Sequence, residues 1–308
     1  MMVLLVRRLW QLVFVLLALT MLIFGLMHLS GDPVALMAGE GATLEDLRRV
    51  RERMGFDQPI YIQYGRYMAG LLRGDLGTSF RQHRPVTAIV LERVPATIQL
   101  TLLAQLTAVV FAFPVGVISA LWRNSLFDRA AMGAAVLGQA IPVFWFGIML
   151  ILIFSVNLRW TPVGGRAGAV AFILPVITLS AVFVAQNARL IRSSLLEVMS
   201  LDFVRTARSK GVSEWSVVFR HALRNSLIPV VTMLGLQFGN LLSGAVVTEM
   251  VFAWPGLGRL LIQAVLGRDV PLVLGTTIII AVFVVSINLA VDLLYGLIDP
   301  RARSDAES

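Results

Sequence analysis

The chain has 308 residues, of which 57% are hydrophobic and 14% charged, with a formal net charge of +8. Soluble domains carry about 25% charged residues, so this composition excludes an ordinary soluble globular protein. The absence of cysteine excludes disulfides, thiolate nucleophiles and Cys-ligated metals, and in a chain this apolar the basic excess reads as arginines at a membrane surface rather than a nucleic-acid site.

The charges are clustered. They leave uncharged windows between Arg8 and Asp32, Arg93 and Arg123, Arg129 and Arg159, Arg166 and Arg189, Arg224 and Glu249, and Asp269 and Asp292. Each window reaches the ~20 residues that a helix needs to cross a bilayer, and in lipid helices are the expected spanning form. The expectation is an all-α integral membrane protein with six transmembrane helices.

Residues 1–29 are read as an N-terminal tail and a first span. Its apolar run exceeds the 7–15 residues of a signal peptide and no small-x-small cleavage site follows, so it is expected to be retained. Residues 30–94 read as a small helical segment outside the membrane. Thr43-Leu44-Glu45-Asp46 resembles a capping box, Leu44, Leu47, Val50 and Met54 make one apolar face, and Gly55 is a stop. Asp57 and Pro59 open a second amphipathic helix through Tyr61, Tyr64, Met68 and Leu71, ending near Gly74. This segment either caps the membrane core or docks an external partner. Residues 95–300 hold five further spans, at about 95–122, 130–158, 167–188, 226–250 and 271–296, with a charged loop at 189–225. Residues 301–308 form a polar tail.

Arg7 and Arg8, Arg123 and Arg129, the 189–225 loop, and Arg301 and Arg303 all fall on one face of this topology. The positive-inside rule makes that face cytoplasmic, with both termini inside. Residues 30–94 also carry many arginines, but acidic residues nearly balance them, and long loops cross largely regardless of charge.

The loop holds seven basic residues and the chain's only lysine, Lys210. Asp202 to Lys210 reads as a short helix broken by Gly211. Ser213 is a plausible N-cap with Glu214 in the first turn, and Trp215, Val218, Phe219 and Ala222 recur at helical spacing. The expected form is a helix–Gly–helix elbow, either an amphipathic connector on anionic headgroups or a knob that fits a groove on a cytoplasmic protein.

The stretch RTARSKGVSEWSVVFRHALRNSLIPVV resembles the EAA loop of permease subunits of ABC importers, in the form found in the dipeptide/oligopeptide/nickel branch of binding-protein-dependent inner-membrane components. Arg205-Thr206-Ala207 stands where the general form has Glu-Ala-Ala, Gly211 is the family glycine, and His221-Ala222-Leu223-Arg224 replaces the closing Leu-Pro segment. Leu29-Ser30-Gly31-Asp32-Pro33, Gly74-Asp75-Leu76-Gly77-Thr78-Ser79, Arg93-Val94-Pro95-Ala96-Thr97, Thr248-Glu249-Met250-Val251-Phe252, Trp254-Pro255-Gly256-Leu257-Gly258 and Asp299-Pro300-Arg301 follow the same family order.

The resemblance implies the type-I importer permease architecture in a bacterial inner membrane. It implies ATPase coupling through Arg205, Thr206, Ala207, Lys210, Gly211, His221, Arg224 and Asn225. It also implies a homologous second permease, two cytoplasmic ATP-binding subunits that hold ATP and Mg²⁺, and an extracytoplasmic solute-binding protein. Substrates of that branch include short peptides, which fit this chain best, and also glutathione, haem and nickel chelates.

No G-x-x-x-x-G-K-[ST] is present, since Lys210 is followed by Gly211, so the chain is not itself a P-loop ATPase. His28, His83 and His221 lie far apart in the topology, which argues against a metal site and leaves no convergent catalytic set. Polar residues within spans are Gln105, Gln139, Gln186, Asn187, Gln237, Asn240, Asn288 and Asp292. They either hydrogen-bond between helices or line a cavity. Gln237, Asn240, Gln139 and Asn288 are the pore-lining candidates, and Glu249 is read as solvated or as a contact to substrate or binding protein. A stand-alone secondary transporter would want inverted repeats or paired intramembrane ionisable groups, and only Asp292 is a candidate for the latter.

Overall fold

The computed structural model describes residues 2–29, 43–45, 48, 52 and 57–298. Most of the expected first helix of the 30–94 segment, the Ser30–Pro33 signature and the polar tail lie outside these residues, and so does the side chain of Asp292. The described residues are nearly all helical. In chain order they form α1 (Met2–Leu29), α2 (Ile60–Leu72), α3 (Val86–Leu121), α4 (Leu126–Ala140) and α5 (Val143–Leu150), which a π-helical stretch (Ile151–Asn157) prolongs. A 3₁₀ turn (Ala169–Phe172) enters α6 (Ile173–Met199), followed by α7 (Asp202–Ser209). One helical turn (Glu214–Ser216) and a π-helical stretch (Val217–Ala222) lead into α8 (Leu223–Val251), then α9 (Leu257–Leu266) and α10 (Val270–Ile298).

Four of these stretches are long and apolar enough to span a membrane by themselves: Val86–Leu121, Ala169–Met199, Glu214–Val251 and Val270–Leu289. The 28 residues of α1 reach about 42 Å at helical rise. The region expected to hold a single span at 130–158 consists of two apolar helical stretches, Leu126–Ala140 and Val143–Asn157, bent by 104° to each other. Ile141 is extended (φ −77°, ψ 125°) because Pro142 follows it, and Pro142 opens α5. A proline disfavours helical geometry in the residue before it and supplies no N–H. Hydropathy alone does not register such a bend. The helix that contains the next expected span begins earlier than residue 95, at Val86, and runs through Glu92 and Arg93.

The chain divides into two compact units. One comprises residues up to Ala96 together with Pro255–Leu289; the other comprises Thr97–Trp254 and the residues from Ala290 onward. In the first, Leu76, Val86, Ile89, Val90, Leu257, Leu260, Ala264 and Leu272 form a core. The segment 74–85 is fastened to the start of α10 by Asp269. That buried carboxylate accepts from Ser79 Oγ at 2.5 Å and from the N–H groups of Phe80 at 3.1 Å, Arg81 at 3.2 Å and Leu272 at 3.4 Å. On α1, Thr20 shares a 2.9 Å hydrogen bond with the Tyr64 hydroxyl, and the Phe24 ring meets that of Tyr64 edge-on at 5.5 Å. Burial also pushes the Tyr67 phenol above its ordinary value.

The second unit is built on α3, α4, α6 and α8. Gly116 brings α3 against α6: a Cβ there would lie 2.7 Å from the Ala188 carbonyl oxygen and 2.7 Å from Ile191 Cβ. Asp128, buried on α4, holds Arg192 of α6 in a two-point ion pair at 2.6 and 2.7 Å. A bidentate geometry satisfies both oxygens of the desolvated carboxylate. Beyond α8, Phe252 and Trp254 are fully buried. Gly147 and Gly164 leave room for Phe252, and the Gly165 N–H donates to its carbonyl at 2.9 Å. The Phe172 ring stacks edge-on against Trp254 at 4.6 Å.

Gly116→Val is expected to destabilise the protein by about 1–3 kcal/mol through overpacking, seen as a lowered midpoint of thermal unfolding in detergent. Gly133→Val, at a site inside α4 with nothing within 4 Å of the added Cβ, should leave the midpoint unchanged or raise it slightly, since valine has a better helix propensity than glycine.

Candidate functional site

Helix α6 runs on past the fourth expected span, through Arg189 and Arg192 to Met199, as one continuous helix. The irregular part of the 189–225 loop is therefore confined to the turns on either side of α7. Leu201 is extended (φ −74°, ψ 153°) and opens α7. One face of that helix is apolar: Val204 is fully buried, and Ala207 packs with it on a core containing Ile191, Leu195, Val217, Ala222 and Leu223. The other face, with Asp202, Arg205, Thr206 and Arg208, is exposed.

Gly211 closes the elbow at φ +76°. Its N–H donates to Arg208 O at 2.9 Å and the Val212 N–H to Ala207 O at 3.3 Å. These two bonds form a Schellman motif, and Val212 joins the core beneath it. Nothing lies within 4 Å of a Cβ built at Gly211, so the glycine is required by its backbone angle and not by space. Ser213 stands at the next helix start, yet its side chain makes no capping bond. Glu214 instead reaches back across the elbow to Arg208, with contacts of 2.7 and 3.3 Å. Both groups are exposed, so this pair adds little stability.

Arg205 pairs loosely with Asp202 at 3.5 Å, and the Thr206 hydroxyl donates to Asp202 O at 2.9 Å. Lys210 and Arg224 are exposed and His221 is half-buried. Asn225 Nδ2 donates to His221 O at 2.9 Å. Arg205 to Gly211 thus share one surface turn, while His221, Arg224 and Asn225 sit where the π-helical stretch enters α8. The periodic set Trp215, Val218, Phe219, Ala222 is split. Val218 and Ala222 are buried, but Trp215 is 72% exposed and stacks on Phe219 at 3.9 Å. Leu201 and Phe203 are exposed as well. These exposed apolar side chains are the part of the surface that sequence reasoning missed, because helical spacing cannot tell which apolar residue lacks a covering neighbour.

The pore-lining candidates differ in their surroundings. Gln237 is 2% exposed, and its Nε2 donates to Gln186 Oε1 on α6 at 3.2 Å. It binds helix to helix, as polar residues within spans often do. Asn240, three residues on, is exposed. Gln139 is half-buried, donating to Ala135 O and accepting from Arg189, both at 3.0 Å. Asn288 is half-buried on α10, in the other unit. Glu249 is not solvated; it is fully buried and accepts from Thr97 Oγ1 at 2.6 Å. Among the described residues no group of three His, Cys, Asp or Glu is placed to hold a metal ion.

Residues 112–304 match the family described as the binding-protein-dependent transport system inner membrane component, and residues 1–101 match the N-terminal family of the same membrane components. The chain is 45% identical to the glutathione transport system permease protein GsiC of Salmonella paratyphi A (strain ATCC 9150 / SARB42), over 96% of this chain and 97% of that one. It is 44% identical to the protein of the same name in Escherichia coli (strain K12), over 97% and 98%. A solved structure of the MetNI methionine ABC transporter superposes with a TM-score of 0.59 at 17% identity, covering 68% of this chain and 96% of that one. At that identity the likeness is one of fold.

Gly211→Val is expected to strain the elbow, since a β-branched residue disfavours left-handed geometry by about 1–2 kcal/mol. Limited trypsin digestion should then cut faster after Arg208 and Lys210 than in wild type. Gly211→Asn, which tolerates that geometry, should be cut at a rate between the two.

Proposed function

The chain belongs to the family of binding-protein-dependent transport system inner membrane components, and on that premise we propose how this permease subunit works. It is a multi-pass inner-membrane permease and a non-catalytic subunit of an ATP-driven ABC importer. Its helices form one half of a translocation pore, and a homologous second permease supplies the other half. Two cytoplasmic ATP-binding subunits hold ATP and Mg²⁺, and an extracytoplasmic solute-binding protein delivers substrate. Both termini and the 189–225 loop face the cytoplasm, a reading supported by the arginines that gather on that side.

The observation that carries the coupling role is the elbow itself. Val204 anchors α7 to the body of the subunit, and the Gly211 closure holds the turn in one shape. A rigid knob transmits a displacement that a loose loop would absorb. Its exposed surface combines Phe203 and Trp215 with Arg205, Arg208, Lys210, Arg220 and Arg224, which suits an apolar groove with an acidic rim. Approach of the two ATP-binding subunits would carry the knob, and with it α6 and α8, between the inward- and outward-open arrangements.

The substrates are short peptides. Glutathione, a tripeptide with two carboxylates, is the member of that class to test first, because the relatives are glutathione permeases by name.

Gly211→Asp, or deletion of Arg205–Gly211, is expected to abolish ATP-dependent uptake by the reconstituted importer while the subunit still inserts in the membrane. Wild-type uptake by either variant would overturn the coupling role. The chain alone in liposomes is expected to show neither ATP hydrolysis nor substrate accumulation, and detecting either would end the obligate-subunit reading.

A further inference from the structure

We infer that the unit containing α9 carries a carboxylate-binding pocket. A cavity of about 120 Å³ opens among Arg93, Pro255, Gly256, Arg259, Leu260 and Gln263. Four of these residues, at 256, 259, 260 and 263, follow helical spacing along one face of α9, and Arg93 reaches it from α3. Two guanidinium groups and one amide supply the polar lining, and no acidic side chain lines the cavity. Glu92, next to Arg93 in sequence, is engaged by Arg84.

Two further features point to an anion. Arg93 Nε is buried and has no hydrogen-bond acceptor among the described residues; a buried donor without an acceptor is costly, and an anion in the cavity removes that cost. Gly256 caps α9 without a side chain, so the positive end of the helix is open to a ligand in the cavity. Guanidinium forks match the planar geometry of a carboxylate. At about 120 Å³ the cavity has room for a carboxylate and its neighbouring carbon. The pocket therefore takes one terminus of a substrate, or one acidic side chain of the delivering protein. This assignment rests on the peptide-importer reading above.

The test uses the complete importer with its ATPase and binding-protein partners in liposomes, comparing glutathione with its two mono-amides. Wild-type ATP-driven uptake of glutathione checks the importer reading first; its absence would count against that reading rather than against the pocket. The acid-to-amide KM ratio is then measured in wild type, Arg93→Gln and Gln263→Glu. Gln263 is exposed, so the second variant changes the charge of the pocket without disturbing the core. With a substrate carboxylate in the pocket, one amide has a KM about tenfold above the acid in wild type, as expected for losing a charge-assisted hydrogen bond, and both variants bring that ratio close to one. With a carboxylate from the binding protein, the variants leave the ratios alone and weaken docking of the unliganded binding protein about tenfold. Either result supports the site. Variants that match wild type in both the ratios and the docking affinity would overturn it.

Discussion

A bilayer offers no partner for a backbone N–H or C=O, and this one constraint shapes the whole chain. It makes the described residues almost entirely helical and confines irregular backbone to a few short stretches. Each such stretch is closed by a local device. At the bend between α4 and α5 the Ile141 N–H still reaches Leu137 O at 3.2 Å, and Phe146 N–H reaches Pro142 O at 3.0 Å. The elbow at Gly211 returns two N–H groups to α7, and Asp269 gathers the free donors of segment 74–85. The elbow around Gly211 and the arginine-lined cavity beside α9 both lie next to such breaks.

Where apolar surface faces lipid, the hydrophobic effect cannot drive helices together, and close approach with internal hydrogen bonding takes over. Gly116 and Gly147 let helices meet at distances that a side chain would forbid. Ser194 Oγ donates to Ser226 O at 2.9 Å between α6 and α8, and Gln237 meets Gln186 across the same pair of helices. The Asp128–Arg192 ion pair ties α4 to α6 near the start of the 189–225 segment. The elbow is thus rooted in α6 and α8, on which Val204 and Ala207 pack.

Much of this was legible in the sequence. The long apolar windows locate the spans because lipid burial leaves a one-dimensional trace. Gly211 announces the elbow because few residues other than glycine accept its backbone angle readily. The order of short motifs along the chain by itself points to a binding-protein-dependent permease. The helix α9, the proline bend at residues 141 and 142, and the burial of Gln237 and Glu249 were not legible. Hydropathy averages over a bend, and a polar residue in an apolar helix has the same local signature whether it faces a pore or a neighbouring helix.

Composition and charge spacing by themselves determined that this is a membrane-spanning helical protein with one charged elbow and no ATPase motif. Those properties depend on residues near one another along the chain. Which polar groups are buried, which aromatic residues stay exposed on the elbow, and which arginines converge on one cavity depend on residues far apart in sequence. Only the packing within each unit decided them, because hydrogen bonding and burial are set by distances in space that the order of residues does not state.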